Sequence, residues 1–397
     1  MPSSPSNFEV PADRPHFRIW PKRLPHALSV PETSLWFNVE VAATRFPDKP
    51  AYVLFGRSLT YGEFRRQAEA IAGWLQAQGV AAGDRVAVFM QNCPQFAVAL
   101  YGALRANAVV VPVNPMNRAE EFKHYITDPE TSVVICSADL AGIVDAAQQA
   151  LPESARARRV LVTRYTDAMP EGPIDAADAP PPAMDAWLRS DPALPAGYVR
   201  WVDALAANHR PGPHTAGPDD LALLPYTSGT TGLPKGCMHT HRTLMSNTVC
   251  GQWGYASPES VSLGVVPMFH ITGMLYSVLG LMASGSTVHL LPRWDRELAG
   301  RLLSLHGITH WVCIPTMIID LFGSPNYKSF DLSSLRSLSG GGAAMPHAVA
   351  QRLLDEFGLT FAEGYGYYLV YEAEALKRPK CAAFRVFIRQ EAARNAA

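Results

Sequence analysis

Three things are scarce in this chain of 397 residues: long apolar runs, paired cysteines and an excess of charge of one sign. The longest apolar stretch, Ile271 to Ala283, is broken by Gly273 and Gly280. It is too short for a membrane span, which needs roughly 20 residues, and suits a buried helix over a core. Met1 to Pro21 is rich in proline and serine and carries acidic residues, but has no apolar centre, so it is not a secretory signal. The six cysteines (Cys93, Cys136, Cys237, Cys250, Cys313, Cys381) are scattered, with neither CxxC nor zinc-ligand spacing. No metal site is read from them. Most sit in apolar runs as small buried hydrophobes, and a reducing cytoplasm is the simplest setting. Basic residues number 34 and acidic ones 35, a formal net charge of −1, which leaves no polybasic surface for nucleic acid or lipid headgroups.

What is present is the composition of a folded protein, 48% hydrophobic against 17% charged. The length allows two or more domains or one large α/β unit. Residues 1–30 read as a loosely held lead-in. Ser34 to Phe46 reads as a helix with Leu35, Phe37, Val41 and Ala42 on one face, and Ala51 to Phe55 as a strand. Ser58 to Phe64 leads into an amphipathic helix through Ala68, Ile71 and Leu75 that ends near Gly79. Strand 85–90, helix 94–105, strand 108–113, helix 120–127 and strand 132–136 follow. Such alternation predicts a largely parallel sheet covered on both faces. About 170–218, with Pro180-Pro181-Pro182 at its heart, reads as a surface excursion with a short helix near Trp201 to Ala207. Beyond it come strand 221–224, helix 241–250, strands 261–267 and 285–291, helix 298–305, strand 311–314, helix 316–322, strand 335–338 and helix 346–357. There, Ala350, Leu353 and Leu354 share one face. No internal repeat or coiled coil is found.

Between strand 221–224 and helix 241–250 lies Tyr226-Thr227-Ser228-Gly229-Thr230-Thr231-Gly232-Leu233-Pro234-Lys235-Gly236. A flexible loop of this kind leaves backbone N–H groups free to point at an anion. Thr227, Ser228, Thr230 and Thr231 add hydroxyl donors, and Lys235 adds positive charge. The physical reading is a polyphosphate cradle. Its alternative is an ordinary glycine-rich loop with a solvated lysine. The pattern is not that of a P-loop kinase or other P-loop NTPase, because Lys235 follows Pro234 and no Ser or Thr follows it. Pro267-Met268-Phe269-His270 reads as a strand end, where α/β sheets gather their ligands, although a histidine there is more often structural. Ser339 to Pro346, with Gly340, Gly341 and Gly342, reads as a strand-to-helix turn against which a flat ring can lie. Tyr365, between Gly364 and Gly366, offers an aromatic face or a core side chain.

The string Thr-Ser-Gly-Thr-Thr-Gly-x-Pro-Lys-Gly resembles the signature of the adenylate-forming (AMP-binding) superfamily, and the chain resembles its acyl-CoA synthetases, the fatty-acid–CoA ligases. Luciferases and peptide-synthetase adenylation domains are relatives. Gly83-Asp84-Arg85-Val86 and Val111 to Pro115 resemble the same family's N-terminal region. The resemblance implies an α/β fold: the large N-terminal domain of the acyl-CoA synthetase/luciferase-like fold, two stacked α/β subdomains over residues 31–366. It implies ATP, Mg2+ and coenzyme A as cofactor and co-substrates, and a small-molecule carboxylic acid as partner. Medium- or long-chain fatty acids come first and aryl acids next. Peripheral contact with a membrane stays open, as does the oligomeric state. Lys235 and His270 become the candidate catalytic residues, Lys235 at the phosphates and His270 against the acyl-adenylate. Thr227, Ser228, Gly229, Thr230, Thr231, Gly232 and Lys235 would hold the β- and γ-phosphates. Gly341, Gly342 and Ala343, with Glu363, Gly364, Tyr365 and Gly366, would border the adenine.

The resemblance breaks off in mid-motif. The family continues Tyr-Gly-x-Thr-Glu, with the glutamate helping to hold the metal, whereas Tyr368 and Leu369 stand here. Glu372 and Glu374 lie nearby at the wrong spacing. Residues 367–397 are an atypical tail, and the family's C-terminal domain with its catalytic lysine is absent from the sequence given. Two function classes therefore compete: an acid–thiol ligase impaired by truncation, and a non-catalytic nucleotide- or acyl-binding remnant or interaction protein. The tail is expected to come from a frameshift or a gene fusion. Translating the coding DNA in its other frames after Gly366 checks this; the frameshift version requires one frame to restore Thr-Glu and the later motifs.

Overall fold

The computed structural model describes residues 29–227, 232–252, 257–341 and 343–363. Of the lead-in only Ser29 and Val30 fall within them, and the tail 367–397 lies outside. The chain divides into two units, Met1–Ala362 and Glu363–Ala397; the architecture below belongs to the first.

Helix α1 (Trp36–Arg45) precedes a hairpin of β1 (Pro50–Leu54) and β2 (Arg57–Thr60). Phe55 and Gly56 turn it at φ of 50° and 87°, two left-handed residues in succession, as a two-residue hairpin loop requires. β2 was not foreseen, because phenylalanine stands where Asn or Asp would signal such a turn. In α1 the buried face is Trp36, Val39, Ala42 and Ala43, a helical stripe starting one residue after Leu35. Phe37, expected inside, is 46% exposed. α2 (Tyr61–Ala77) begins on a capping box: Glu63 N–H donates to Thr60 Oγ1 at 3.2 Å, and Thr60 N–H donates to Glu63 Oε2 at 2.9 Å.

β3 (Arg85–Phe89), α3 (Pro94–Arg105), β4 (Val109–Pro112), α4 (Ala119–Thr127) and β5 (Thr131–Ser137) form close to where periodicity put them. α5 (Ala141–Gln149) and β6 (Arg159–Thr163) continue the rhythm unforeseen. The excursion is more than surface. It holds α6 (Pro182–Leu188), β7 (Val199–Arg200) and α7 (Trp201–Ala206), and it buries Met184, Leu188 and Trp201. Pro182 starts α6, a position where its missing N–H costs nothing.

The second half runs β8 (Leu221–Leu223), β9 (Tyr226–Thr227), β10 (Lys235–Gly236), β11 (His239–Thr240), α8 (His241–Gln252) and β12 (Val261–Gly264). Then come α9 (Ile271–Met274), a π-helical turn Leu275–Leu279, α10 (Gly280–Ser284), β13 (Thr287–Leu290), α11 (Arg296–Leu305), β14 (His310–Cys313) and α12 (Pro315–Phe322). β15 (Ser337–Gly340), α13 (His347–Phe357) and β16 (Phe361–Glu363) complete it. β15 lies later than the expected 335–338. On α13 Leu353 is buried but Leu354 is 48% exposed. Cys93, Cys136 and Cys313 are buried as expected, whereas Cys237 and Cys250 are exposed; Cys381 lies outside the described residues.

One seven-stranded sheet has the order β11-β8-β4-β3-β5-β6-β7, the other β16-β15-β14-β12-β13-β1-β2. In the first, only β11 against β8 is antiparallel; in the second, β1 pairs antiparallel with β2 and parallel with β13. Alternation along β3 explains how the first sheet is covered. Val86 and Val88 face one core cluster with α2 and α3, while Ala87 and Phe89 face another with Phe122 of α4 and Val144 of α5. The former cluster continues without a break to Leu54, Leu263 and Val288 of the second sheet. The two α/β subdomains are thus stacked, as the family resemblance implies, on a shared helical layer.

Two buried histidines make this core sensitive to acid. His241 Nδ1 accepts the Leu35 N–H at 3.1 Å, so the ring must be neutral there. Burial first, and the charge of His214 second, pull its pKa down to about 4. His289 stacks on His306 at 4.4 Å, and burial, then the charge of His306, pulls it likewise to about 4. Both folded values lie below the unfolded value of about 6.5. Between those limits the unfolded chain binds more protons, so stability falls as pH drops from 6.5 towards 4 and levels off below. The loss is on the order of 3 kcal/mol per histidine. Urea midpoints measured from pH 7 to pH 4 should show it. Exchanging both residues for glutamine should flatten that slope, and an unchanged slope would assign the fall to carboxylates instead.

Candidate functional site

β8 runs parallel to β4, with Leu223 beside Val110, and leaves the first sheet at its carboxyl edge. The chain then folds at once into a two-stranded ribbon. β9 and β10 pair antiparallel, Thr227 opposite Lys235 and Tyr226 opposite Gly236. Cys237 N–H donates to Pro225 O at 2.8 Å and closes the foot, and the chain returns to the sheet as β11 beside β8. The glycine-rich string therefore stands on a strand end with both feet held. Thr227 and Lys235 are exposed, as is Gly232. Ser228, Gly229, Thr230 and Thr231 lie outside the described residues. Gly236 lies close under the Tyr226 ring: a Cβ there would fall 3.2 Å from it, a tight contact.

In the second sheet the chain passes from β12 to β13 on one side and returns to β14 on the other. Strand order reverses at β12, and the crevice outside the carboxyl ends at such a point is where open α/β sheets bind ligands. The segment 265–270 follows β12, Ile314 follows β14 and Gly341 follows β15, all on that edge. His270 is not at a strand end as expected. β12 stops at Gly264, and His270 is the N-cap of α9, exposed, with Nδ1 accepting the Thr272 N–H at 3.4 Å. Ala343 is exposed beyond Gly341. Glu363 ends β16, and Gly342, Gly364, Tyr365 and Gly366 lie outside the described residues. Thr227 and Lys235 are thus brought together, and His270 shares an edge with Gly341. Among the described residues no hydrogen bond joins these two groups.

The early end of β12 has a cause that the motifs did not reveal. Asn92, buried just past β3, donates through Nδ2 to Val265 O at 3.2 Å and Val266 O at 3.1 Å, and its Oδ1 accepts the Met268 N–H at 2.7 Å. One side chain of the first subdomain thereby diverts the second subdomain's strand into the turn that presents His270. The sequence does carry a signal, the polar pair Gln91-Asn92 where an apolar strand gives way to a helix beginning at Pro94.

A cavity of about 280 Å³ opens elsewhere, lined by residues of β2, α2, α3 and α7 and by Asp167. Its carboxylates are already engaged: Glu63 caps α2, and Asp167 accepts the Arg164 N–H at 2.9 Å. It takes no residue from the hairpin or from the second sheet's carboxyl edge. Among the described residues no three His, Cys, Asp or Glu side chains are placed to hold a metal ion. No helix among them is long and apolar enough to cross a membrane.

Known proteins resemble this chain. Residues 39–367 match the family model described as AMP-binding enzyme. The chain belongs to the AMP-binding enzyme family. A long-chain-fatty-acid–CoA ligase of Bacillus subtilis is 31% identical over 89% of this chain and 63% of its own length. A feruloyl-CoA synthase of an Amycolatopsis species is 34% identical over 78% of the chain and 54% of its own length. The chain thus spans between half and two thirds of these curated relatives. Among solved structures, the N-terminal domain of FACL13 from Mycobacterium tuberculosis, with an inhibitor bound, superposes with a TM-score of 0.69 at 25% identity, over 84% of this chain and 76% of that one. The anthranilate-CoA ligase AuaEII, in complex with anthranoyl-AMP, reaches 0.69 at 19% identity over 84% of this chain and 60% of that one, a likeness of fold. Within the AMP-binding enzyme family, then, this chain has the fold of the N-terminal domain.

Asn92→Ala removes four buried partners at once, Leu291 O among them, and should cost about 2–4 kcal/mol, since carbonyls left unpaired in a core are expensive. Urea unfolding measures the loss. Hydrogen exchange should rise selectively at Met268 and the following turn, and unaltered exchange there would show that the turn stands without Asn92.

Proposed function

We propose that this chain binds ATP and a carboxylic acid and carries out acid activation, with a medium- or long-chain fatty acid as substrate. The observation that carries this reading is the pairing of Thr227 with Lys235 at the foot of a hydroxyl- and glycine-rich loop, in a member of the AMP-binding enzyme family. In the first step a carboxylate oxygen attacks the α-phosphorus of ATP. The bond from that phosphorus to the bridging oxygen breaks, pyrophosphate leaves, and an acyl-adenylate remains. In the second step the sulfur of coenzyme A attacks the acyl carbon, AMP departs with its oxygen, and the thiol proton is released.

Negative charge builds on the departing pyrophosphate in the first step. A lysine ammonium and hydroxyl donors already aimed at that charge lower the barrier without reorganising. Lys235, Thr227, Ser228, Thr230 and Thr231 take this role, with Gly229 and Gly232 letting the backbone approach the phosphates. Gly341, Gly342, Ala343 and the segment from Glu363 to Gly366 flank the adenine, and His270 faces the acyl-adenylate. The Bacillus relative supports a fatty acid, and the feruloyl-CoA synthase keeps aryl acids as the second class. A cytoplasmic setting suits the exposed thiols of Cys237 and Cys250.

Mg2+ does not fit the residues of this chain. Leu369 stands where the resemblance expects its glutamate, and a leucine has no ligand atom. Turnover is slow for want of that carboxylate.

Calorimetric titration with ATP, and hydroxylamine trapping of acyl-adenylate from palmitate, dodecanoate or ferulate, test the proposal together. ATP should bind, and Lys235→Ala should weaken it at least about tenfold, as loss of a charge-assisted contact does. Fatty acids should yield more hydroxamate than ferulate. Failure to bind ATP at millimolar concentration would overturn the nucleotide assignment, and a ferulate preference would move the substrate to the aryl class.

A further inference from the structure

The ribbon that carries Lys235 is too small to hold itself. Each strand has two residues, and even longer isolated hairpins are marginal in water. Lys235 makes no ion pair among the described residues, so its place depends on its backbone. That backbone is gripped from α4. His124 Nε2–H donates to Pro234 O at 2.7 Å, on the residue before Lys235. A carbonyl can only accept, so the proton sits on Nε2. One helical turn later, at the C-cap of α4, Asp128 accepts a hydrogen bond from the Tyr226 hydroxyl on the opposite strand.

Positions 124 and 128 lie on one helix face, and each takes hold of a different strand of the ribbon. Ring contacts fill the space between them. Tyr226 meets His124 edge to face at 5.5 Å and lies 4.7 Å from Tyr125, while its other neighbour is Gly236. Burial, and then the bond to Asp128, push the Tyr226 phenol pKa up, so it stays a donor. α4 is itself rigidly seated: Phe122, Tyr125 and Ile126 are buried on the first sheet, with Phe122 and Phe89 at 4.6 Å.

We propose that α4 is the rail on which the phosphate ribbon is set, and that His124 and Asp128 are positioning residues that decide where Lys235 stands. The proposal rests on reading the ribbon as the nucleotide cradle. Neither residue touches nucleotide; each acts through the ribbon's backbone or Tyr226.

The test compares the full chain with His124→Ala, His124→Gln and Asp128→Asn, using hydrogen exchange across residues 224–240 and calorimetric ATP affinity. His124→Ala should speed exchange at Lys235 to Cys237 about tenfold, as loss of one good hydrogen bond does, with β3 and β5 unchanged. ATP affinity should fall by a similar factor. His124→Gln, which keeps a donor, should recover most of both, and a purely structural residue would show no such rescue. Asp128→Asn should loosen Tyr226 and Thr227 by a smaller factor. Unchanged ribbon exchange in His124→Ala overturns the proposal, and so does a loosened ribbon that binds ATP as tightly as before. If the unaltered chain binds no ATP, the nucleotide reading fails, and the proposal that the ribbon is set for nucleotide falls with it; the exchange data then still report whether α4 holds the ribbon.

Discussion

The turn at the second sheet's carboxyl edge depends on one amide. Asn92 belongs to the first subdomain but spends its hydrogen bonds on the second, taking two carbonyls and one N–H from the turn after β12. An amide is the smallest group able to donate and accept on one planar end, which the alternating polarity of a peptide backbone demands. An apolar substitute would leave those groups buried without water. The strand-to-turn transition that leads to His270 is held where that side chain sits.

Two ways of holding a site meet in this fold. The second sheet's edge is built from strand ends and inherits their rigidity. The first sheet's edge carries an outgrowth, the β9–β10 ribbon, with almost no hydrogen bonding of its own. Its order is supplied from outside, by Pro225 at one foot and by α4 along its side. On the proposed reading, a loop that wraps an anion needs freedom, and its lysine needs a fixed origin to reach it. Separating loop from base reconciles the two.

Much of the fold is legible in the chain because local signals agree. Thr60-x-x-Glu63 announces a capped helix, Pro94 opens another at its first residue, and the valine-rich runs of β3 to β5 alternate between two buried faces. What escaped was decided by tertiary contact. β2 depends on a left-handed phenylalanine that no turn rule anticipates. α5, β6 and α6 are short, and their place becomes plain only against the sheet, whereas the helix near Trp201 was expected. The loop string was readable because its chemistry is concentrated in adjacent residues. Asn92, His124 and Asp128 were not, because each owes its meaning to a backbone atom more than a hundred residues away or to a side chain across the ribbon.

The unbroken apolar interior between the sheets also bears on how such a molecule could be divided. Leu54 and Val288 of one sheet and Val86 and Val88 of the other line the same chamber, with α2 and α3 as its contents. A cut in the excursion before β8 would leave the amino-terminal fragment holding β1, which seats beside β13, and leave the carboxyl-terminal fragment holding β8, which seats beside β4. Each fragment would keep a strand that belongs to the other's sheet. The two subdomains are architectural halves, but in the covalent sense they are interlaced.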